Sequence, residues 1–227
     1  MVITIPLLLP YGILYSIKRN DLAAKYAGIC STIWGRLLLW AAGATVTVAG
    51  LERLPASSQI CFVSNHQGSF DIPLIIGYIP RIVGFIAKKE LKLFPIVNVW
   101  MRALHCIFLD RKNVRAALRV IHQGAQNIRD GHALVIFPEG TRSRSRQPGI
   151  FKKGSFHLPL SAGGWIIPLC IDGTWKLKEK HHRIQAGSVR LTILEPIAVE
   201  TLNEETKKKI HEYIYSIIVN HLNADIS

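Results

Sequence analysis

The chain of 227 residues carries 28 Lys and Arg against 15 Asp and Glu, a net charge of +13, yet its mean hydropathy is +0.23. That length suits one sizeable core and is short for two, while the charge calls for an anionic partner. Basic and oily together favour a membrane surface; aromatics at 8% with no basic–aromatic interleaving argue against nucleic acid.

Met1 to Ile17 contains no charged residue, and Lys18-Arg19 follow at once. A secretory signal would carry its charge before the apolar run, and no small-residue cleavage site follows. As a helix the run would reach about 25 Å, just short of the hydrocarbon core, with Pro6 and Pro10 to kink it. A second apolar stretch, Ile29 to Gly43, contains Arg36 between Trp34 and Trp40. An interfacial position is expected for it, with Arg36 snorkelling to headgroups and the Trp pair at headgroup depth. Residues 1–43 are thus expected to form N-terminal membrane-anchoring helices ahead of a body at 44–227. Positive charge after the first segment places that body at the cytoplasmic face of the inner (plasma) membrane.

From Ala44 the pattern changes. Thr45 to Val48 alternates at period two and stops at Gly50. Ile60 to Val63 reads as a buried strand, Phe70 to Ile79 has helical length, and Ile82 to Ile86 is a strand. Lys88 to Leu104 is helical or irregular and broken by Pro95. Cys106 to Leu109 is a strand; Val114 to Ile128 carries a helical apolar stripe that Gly131 terminates. Ala133 to Phe137, Ile166 to Ile171 and Val189 to Leu194 complete the strands, and Lys207 to Leu222 is a closing amphipathic helix. Strands alternating with helices predict an α/β fold: a largely parallel sheet flanked by helices, preceded by the N-terminal apolar helical anchor. Cys30, Cys61, Cys106 and Cys170 form no CxxC pair and read as small core residues in a reducing compartment, so no metal site is expected.

Two segments at strand ends carry the chemistry. In Asn65-His66-Gln67-Gly68-Ser69-Phe70-Asp71, an imidazole and a carboxylate lie five residues apart, about 140° around a continuous helix. They meet only if the helix begins between them, with Gly68 in the turn and Ser69 as N-cap. Asp71 then orients one ring nitrogen and leaves the other as a base. A nucleophilic role for Ser69 has no GxSxG elbow behind it, so the economical target of the base is a hydroxyl of the substrate. In Phe137-Pro138-Glu139-Gly140-Thr141-Arg142-Ser143, Gly140 permits a sharp turn with exposed N–H groups. Thr141 offers a hydroxyl and Arg142 a planar fork for phosphate oxygens; Glu139 is expected to lock the loop by pairing with a basic group. The following basic run, Arg142, Arg144, Arg146, Lys152 and Lys153, reads as a phosphate- or membrane-facing surface.

These residues resemble the glycerophospholipid acyltransferase family, in particular the bacterial 1-acyl-sn-glycerol-3-phosphate acyltransferases. Asn65, His66 and Asp71 match its first motif and Phe137 to Ser143 its third. Ile107 to Arg111 is similar to the second, an apolar strand ending in Arg, and Ile166 to Ile171, with Pro168, to the fourth. Gly68-Ser69-Phe70 departs from the usual Ser and aromatic after His-Gln. The resemblance implies transfer of an acyl chain from acyl-CoA or acyl carrier protein, as co-substrate and without a cofactor, to the sn-2 hydroxyl of lysophosphatidic acid. It further implies His66 as base with Asp71 as partner, and Arg111, Glu139, Gly140, Thr141 and Arg142 serving the acceptor. Asn65, Ser69 and Pro168 would give structural support. The same motifs serve acylation of glycerol-3-phosphate or a lyso-aminolipid. A non-catalytic protein that holds anionic lipid on its basic face is the reading from a different class.

Overall fold

The computed structural model describes residues 5–110 and 114–224. Two helices open the chain, α1 (Ile5–Ser16) and α2 (Asn20–Ala41), and strand β1 (Ala44–Ala49) follows. Then come β2 (Ile60–Ser64), α3 (Asp71–Tyr78), β3 (Val83–Lys88), α4 (Pro95–Ala103), β4 (Ile107–Leu109), α5 (Val114–Arg129) and β5 (Ala133–Ile136). The last third holds α6 (His157–Ala162), β6 (Trp165–Asp172), α7 (Thr174–Leu177), β7 (Gly187–Ile193), β8 (Ile197–Ala198) and α8 (Glu204–Ala224). The strands form one sheet in the order β1-β7-β6-β2-β5-β3-β4, with β8 also against β6. All pairings are parallel except β6 with β7 and β6 with β8, so the sheet is mixed but mostly parallel.

Period-two alternation in the central strands sorts side chains into two cores. Ile60 and Phe62 of β2, Val135 of β5 and Ile167, Leu169 and Ile171 of β6 face one side, where they meet Leu39 of α2 and Leu74, Ile75 and Ile76 of α3. Cys61, Val63, Leu134, Ile136 and Cys170 face the other, against α5, α6 and α8. Strands covered on both faces read as continuous apolar runs, which is why β2 and β5 were visible in the sequence. Helix α8 buries Ile210, Ile214, Ile218 and Leu222, a stripe at four-residue spacing. It starts earlier than its apolar stripe because Asn203 Oδ1 accepts the Thr206 N–H at 2.8 Å. Helix α6, the four-residue α7 and the two-residue β8 are too short to show a period and are not foreseen by the sequence reading.

Pro168 lies inside β6, where a missing N–H would ordinarily break a ladder. The outer edge of β6 pairs with β8 at Trp165 and Ile166 and with β7 from Leu169 to Asp172. Pro168 falls in the gap between these partners, and its carbonyl accepts the Leu194 N–H at 3.0 Å.

Helix α2 packs into the body rather than standing apart from it. It crosses α3 at Gly35, where an added Cβ would lie 2.6 Å from the Pro73 carbonyl oxygen and 3.0 Å from the Gly77 nitrogen. Beside this crossing, Arg36 Nε donates to the Gly77 carbonyl at 2.7 Å, and the guanidinium lies 5.2 Å from the Tyr78 ring centroid. Arg36 is exposed, and its Nε satisfies an end-of-helix carbonyl of α3, a fixed partner that the sequence reading did not include. Trp34 likewise packs on the core while Trp40 is 78% exposed. The opposite face of α2 shows Ile29, Ile33, Leu37 and Trp40 to the outside, at helical spacing, and α1 adds Leu9 and Ile13. Among the described residues no helix is long and apolar enough to cross a membrane.

The close crossing gives a direct test. Gly35→Ala gains helix propensity, worth about 1 kcal/mol, but forces α2 away from backbone atoms of α3 at a cost of about 1–3 kcal/mol. Denaturant titration in mild detergent should show net destabilisation; a midpoint at or above that of the parent protein would contradict the tight crossing.

Candidate active site

Strands β6, β2 and β5 are adjacent and parallel, so the segments that leave their carboxyl ends emerge side by side. The Asn65 to Asp71 turn leaves β2, the Phe137 to Ser143 turn leaves β5, and Gly173-Thr174 leaves β6. Asn65 ties the first to the third: its Nδ2 donates to the Ile171 carbonyl and its Oδ1 accepts the Ile171 N–H, both at 2.8 Å. Gln67 repeats the device one step on, accepting the Gly173 N–H at 2.9 Å. Between the first and second turns the backbone pairs directly, the Ser143 N–H with the His66 carbonyl at 2.8 Å and the Arg144 N–H with the Gln67 carbonyl at 3.2 Å.

Within this frame His66 Nδ1 lies 2.7 Å from Asp71 Oδ2. Helix α3 begins at Asp71, so His66 stays in the turn and the carboxylate occupies the first turn of the helix, where the macrodipole favours an anion. Asp71 is fully buried and is met by donors alone: His66 Nδ1, the Gly68 N–H at 2.9 Å, and the Thr174 hydroxyl on Oδ1. An acceptor-only neighbourhood makes His66 Nδ1 the donor and leaves Nε2 as the lone-pair nitrogen. Among the described residues Nε2 has no hydrogen-bond partner. The imidazole stacks on Phe137, centroids 4.0 Å apart, which fixes the ring plane.

Ser69 is not the N-cap of α3; Phe70 holds that position without a side-chain cap. The Ser69 N–H and hydroxyl both donate to Glu179 Oε1 at 2.8 Å, so a carboxylate from a distant loop outcompetes the local capping bond. Glu139 does lock its loop, but through backbone rather than through a basic group. Its Oε1 accepts the His66 N–H and its Oε2 the Gly149 N–H, each at 2.7 Å. Burial raises the Glu139 carboxyl above its usual range, offset in part by these two bonds. With both oxygens occupied and the side chain buried, Glu139 shapes the turn and offers substrate nothing directly.

Gly140 has φ of +72°, and a Cβ there would lie 3.0 Å from Lys152 Nζ. Its N–H donates to the Phe137 carbonyl at 3.0 Å, and that of Ser143 to the His66 carbonyl, so these two amides are used inside the turns. Thr141 is exposed. Arg142 donates through Nη1 to the Ser69 hydroxyl and, at 3.1 Å, to Glu179 Oε1. The basic run divides. Arg146 is structural, pairing with Asp172 at 3.0 Å and donating to the Leu222 carbonyl at 2.6 Å, which pins the end of α8. Arg142, Arg144, Lys152 and Lys153 are exposed. Arg111 lies outside the described residues. Gln67, Thr174 and Glu179 are the site residues that the sequence reading missed. A signal for one existed, since Glu179 is the single acid between Gly173 and Leu194, in a strongly basic stretch.

His66, Phe137, Gly140 and Lys152 line a cavity of about 820 Å³. Its remaining wall is largely apolar, from Trp34 of α2, Ile76 of α3, Trp100 and Met101 of α4, and Val120 and Ile121 of α5, with Leu7 of α1 included. Tyr11 of α1 meets Trp100, centroids 6.1 Å apart. Cys106 also lines the cavity, and burial pushes its thiol up to about 12, which keeps it unreactive. The arrangement can accept a proton from a hydroxyl at the wall of a largely apolar cavity, beside exposed cations.

A family model described as acyltransferase matches residues 45–172. The 1-acyl-sn-glycerol-3-phosphate acyltransferase of Borreliella burgdorferi is 32% identical over 191 residues, covering 82% of this chain and 75% of that protein. The enzyme of the same description from Saccharomyces cerevisiae is 32% identical over 212 residues, with 89% and 68% covered. The crystal structure of the 1-acyl-sn-glycerophosphate acyltransferase PlsC from Thermotoga maritima superposes with a TM-score of 0.81 at 27% identity, over 100% of this chain and 97% of that one. The chain belongs to the acyltransferase family that holds the 1-acyl-sn-glycerol-3-phosphate acyltransferases.

Proposed function

We propose that this enzyme transfers an acyl chain from a thioester, acyl-CoA or acyl-acyl carrier protein, to the sn-2 hydroxyl of lysophosphatidic acid, giving phosphatidic acid. The observation that carries the reading is the His66–Asp71 pair, with His66 on the wall of an apolar cavity and Arg142 and Lys152 close to the same turns. His66 Nε2 takes the proton of the acceptor hydroxyl as its oxygen attacks the thioester carbonyl carbon. The tetrahedral intermediate collapses with cleavage of the carbon–sulfur bond, and the departing thiolate takes the proton back from the imidazolium. Asp71 stabilises the imidazolium and fixes its tautomer. Arg142 holds the acceptor's phosphate, and the cavity takes an acyl chain, each buried methylene contributing about 0.8 kcal/mol.

Acceptor and product are amphiphiles of a bilayer, and the exposed apolar stripes of α1 and α2 are the surface that would enter it. The chain is read as lying in the interface of an anionic membrane, at the cytoplasmic face of the inner membrane, with the basic face toward headgroups.

His66→Ala should lower turnover by about 10²–10⁴-fold without loss of fold. Asp71→Asn should also be severe, because the amide reverses one hydrogen bond and removes the charge. Release of free thiol with lysophosphatidic acid as acceptor, followed against circular dichroism, checks both; near-normal turnover in the His66 variant eliminates the base. For the membrane, Ile33→Asp with Leu37→Asp should abolish co-flotation with neutral liposomes and weaken it on anionic ones. Unchanged flotation on neutral lipid would remove the α2 stripe from the interface.

A further inference from the structure

Glu179 is an acid set among lysines, histidines and arginine at 176–183, yet its side chain is only 6% exposed. Its Oε1 accepts three donors: the Ser69 N–H, the Ser69 hydroxyl and Arg142 Nη1. Its Oε2 is buried with no hydrogen-bond partner among the described residues, packed where a Cβ on Gly68 would lie 2.6 Å away. A carboxylate drawn this far from water, with one oxygen left unpaired, is costly. Turn geometry alone does not need it, since Asp71 and Glu139 already hold the His66 loop from both sides.

What Glu179 does beyond the turn is fix Arg142, directly and through the Ser69 hydroxyl that it holds. That side chain is 40% exposed, and a long exposed Arg is otherwise free among many rotamers. Glu179 and Ser69 occupy the Nη1 end of the guanidinium, and among the described residues Nη2 and Nε make no hydrogen bond. One edge of a rigid planar fork is thereby tied to the turn that carries His66, and the other edge is left as a pair of donors for an anion. We propose that Glu179 is a positioning residue that aims Arg142 at the phosphate of the acceptor, so that the acceptor's hydroxyl registers on His66. The ordering of the guanidinium precedes binding, and the acceptor does not have to supply it. This assignment rests on reading Arg142 as the phosphate ligand.

The test is a double-mutant cycle on the full chain in lipid or detergent, with KM for lysophosphatidic acid and kcat measured separately. Glu179→Ala should raise the acceptor KM about tenfold with a smaller fall in kcat and no change in the donor KM, and Glu179→Gln should fall between. In an Arg142→Ala background, Glu179→Ala should change the acceptor KM less than about twofold, because both substitutions remove one device. Full additivity of the two, or a fall in kcat at constant acceptor KM, overturns the positioning role while leaving Arg142 in place. An Arg142→Ala enzyme with unchanged acceptor KM instead overturns the phosphate reading and the proposal with it. Should Glu179→Ala fail to fold, Glu179→Gln carries the cycle, since it retains an oxygen for the Ser69 N–H.

Discussion

A carboxylate with no access to water holds the site together. Asp71 survives in the interior because three donors reach it from different parts of the chain: an imidazole that leaves β2, a backbone amide of the same turn, and a hydroxyl that leaves β6. Removing any of them leaves a lone pair of a buried carboxylate without its donor, a loss of about 1–3 kcal/mol in comparable cases. The demand can be met only where β2 and β6 are neighbours running the same way, and β5 on the other flank supplies Phe137 to hold the ring plane. Sheet order is thus a condition on the chemistry, and the hydrogen bonds of Asn65, Gln67 and Glu139 are the local means of meeting it.

Much of this was legible in the chain because it is periodic or local. The β2 and β5 runs are apolar throughout, as strands covered on both faces must be, and the five-residue spacing of His66 and Asp71 requires a helix to begin between them; α3 begins at Asp71. Local rules failed where a distant group made the better bond. Ser69 has the preference of an N-cap, but Glu179 lies 110 positions away in sequence and within hydrogen-bond reach in space. Arg36 keeps its exposure, yet its Nε is taken by the Gly77 carbonyl of α3, which no local pattern displays. Thr174 carries no motif; only the pairing of β6 with β2 reveals that it faces Asp71. Glu139 was legible as a lock, yet its partners are backbone amides, which no residue pattern displays.

Helix α2 has two unlike faces with separate consequences. Ala23, Ala27, Gly28 and Gly35 make it narrow on the inside, so it approaches α3 and Ile82 closely. Ile29, Ile33, Leu37 and Trp40 make it broad and apolar on the outside. A boundary at residue 43 therefore separates helix from strand in sequence but cuts through one packed core, to which Leu39 and Ala42 belong. The helix that would meet lipid also rests on the helix whose first residue orients the imidazole.

The cavity wall has a kinetic corollary. Leu7 and Trp34 line the cavity from helices whose far sides are apolar and exposed. With those faces in a leaflet, as proposed, an acyl chain would pass from lipid to cavity between apolar surfaces rather than through bulk water. The concentration that governs turnover would then be a mole fraction in two dimensions. Diluting the acceptor with inert lipid at constant bulk amount would slow the enzyme, whereas enlarging the aqueous volume would not.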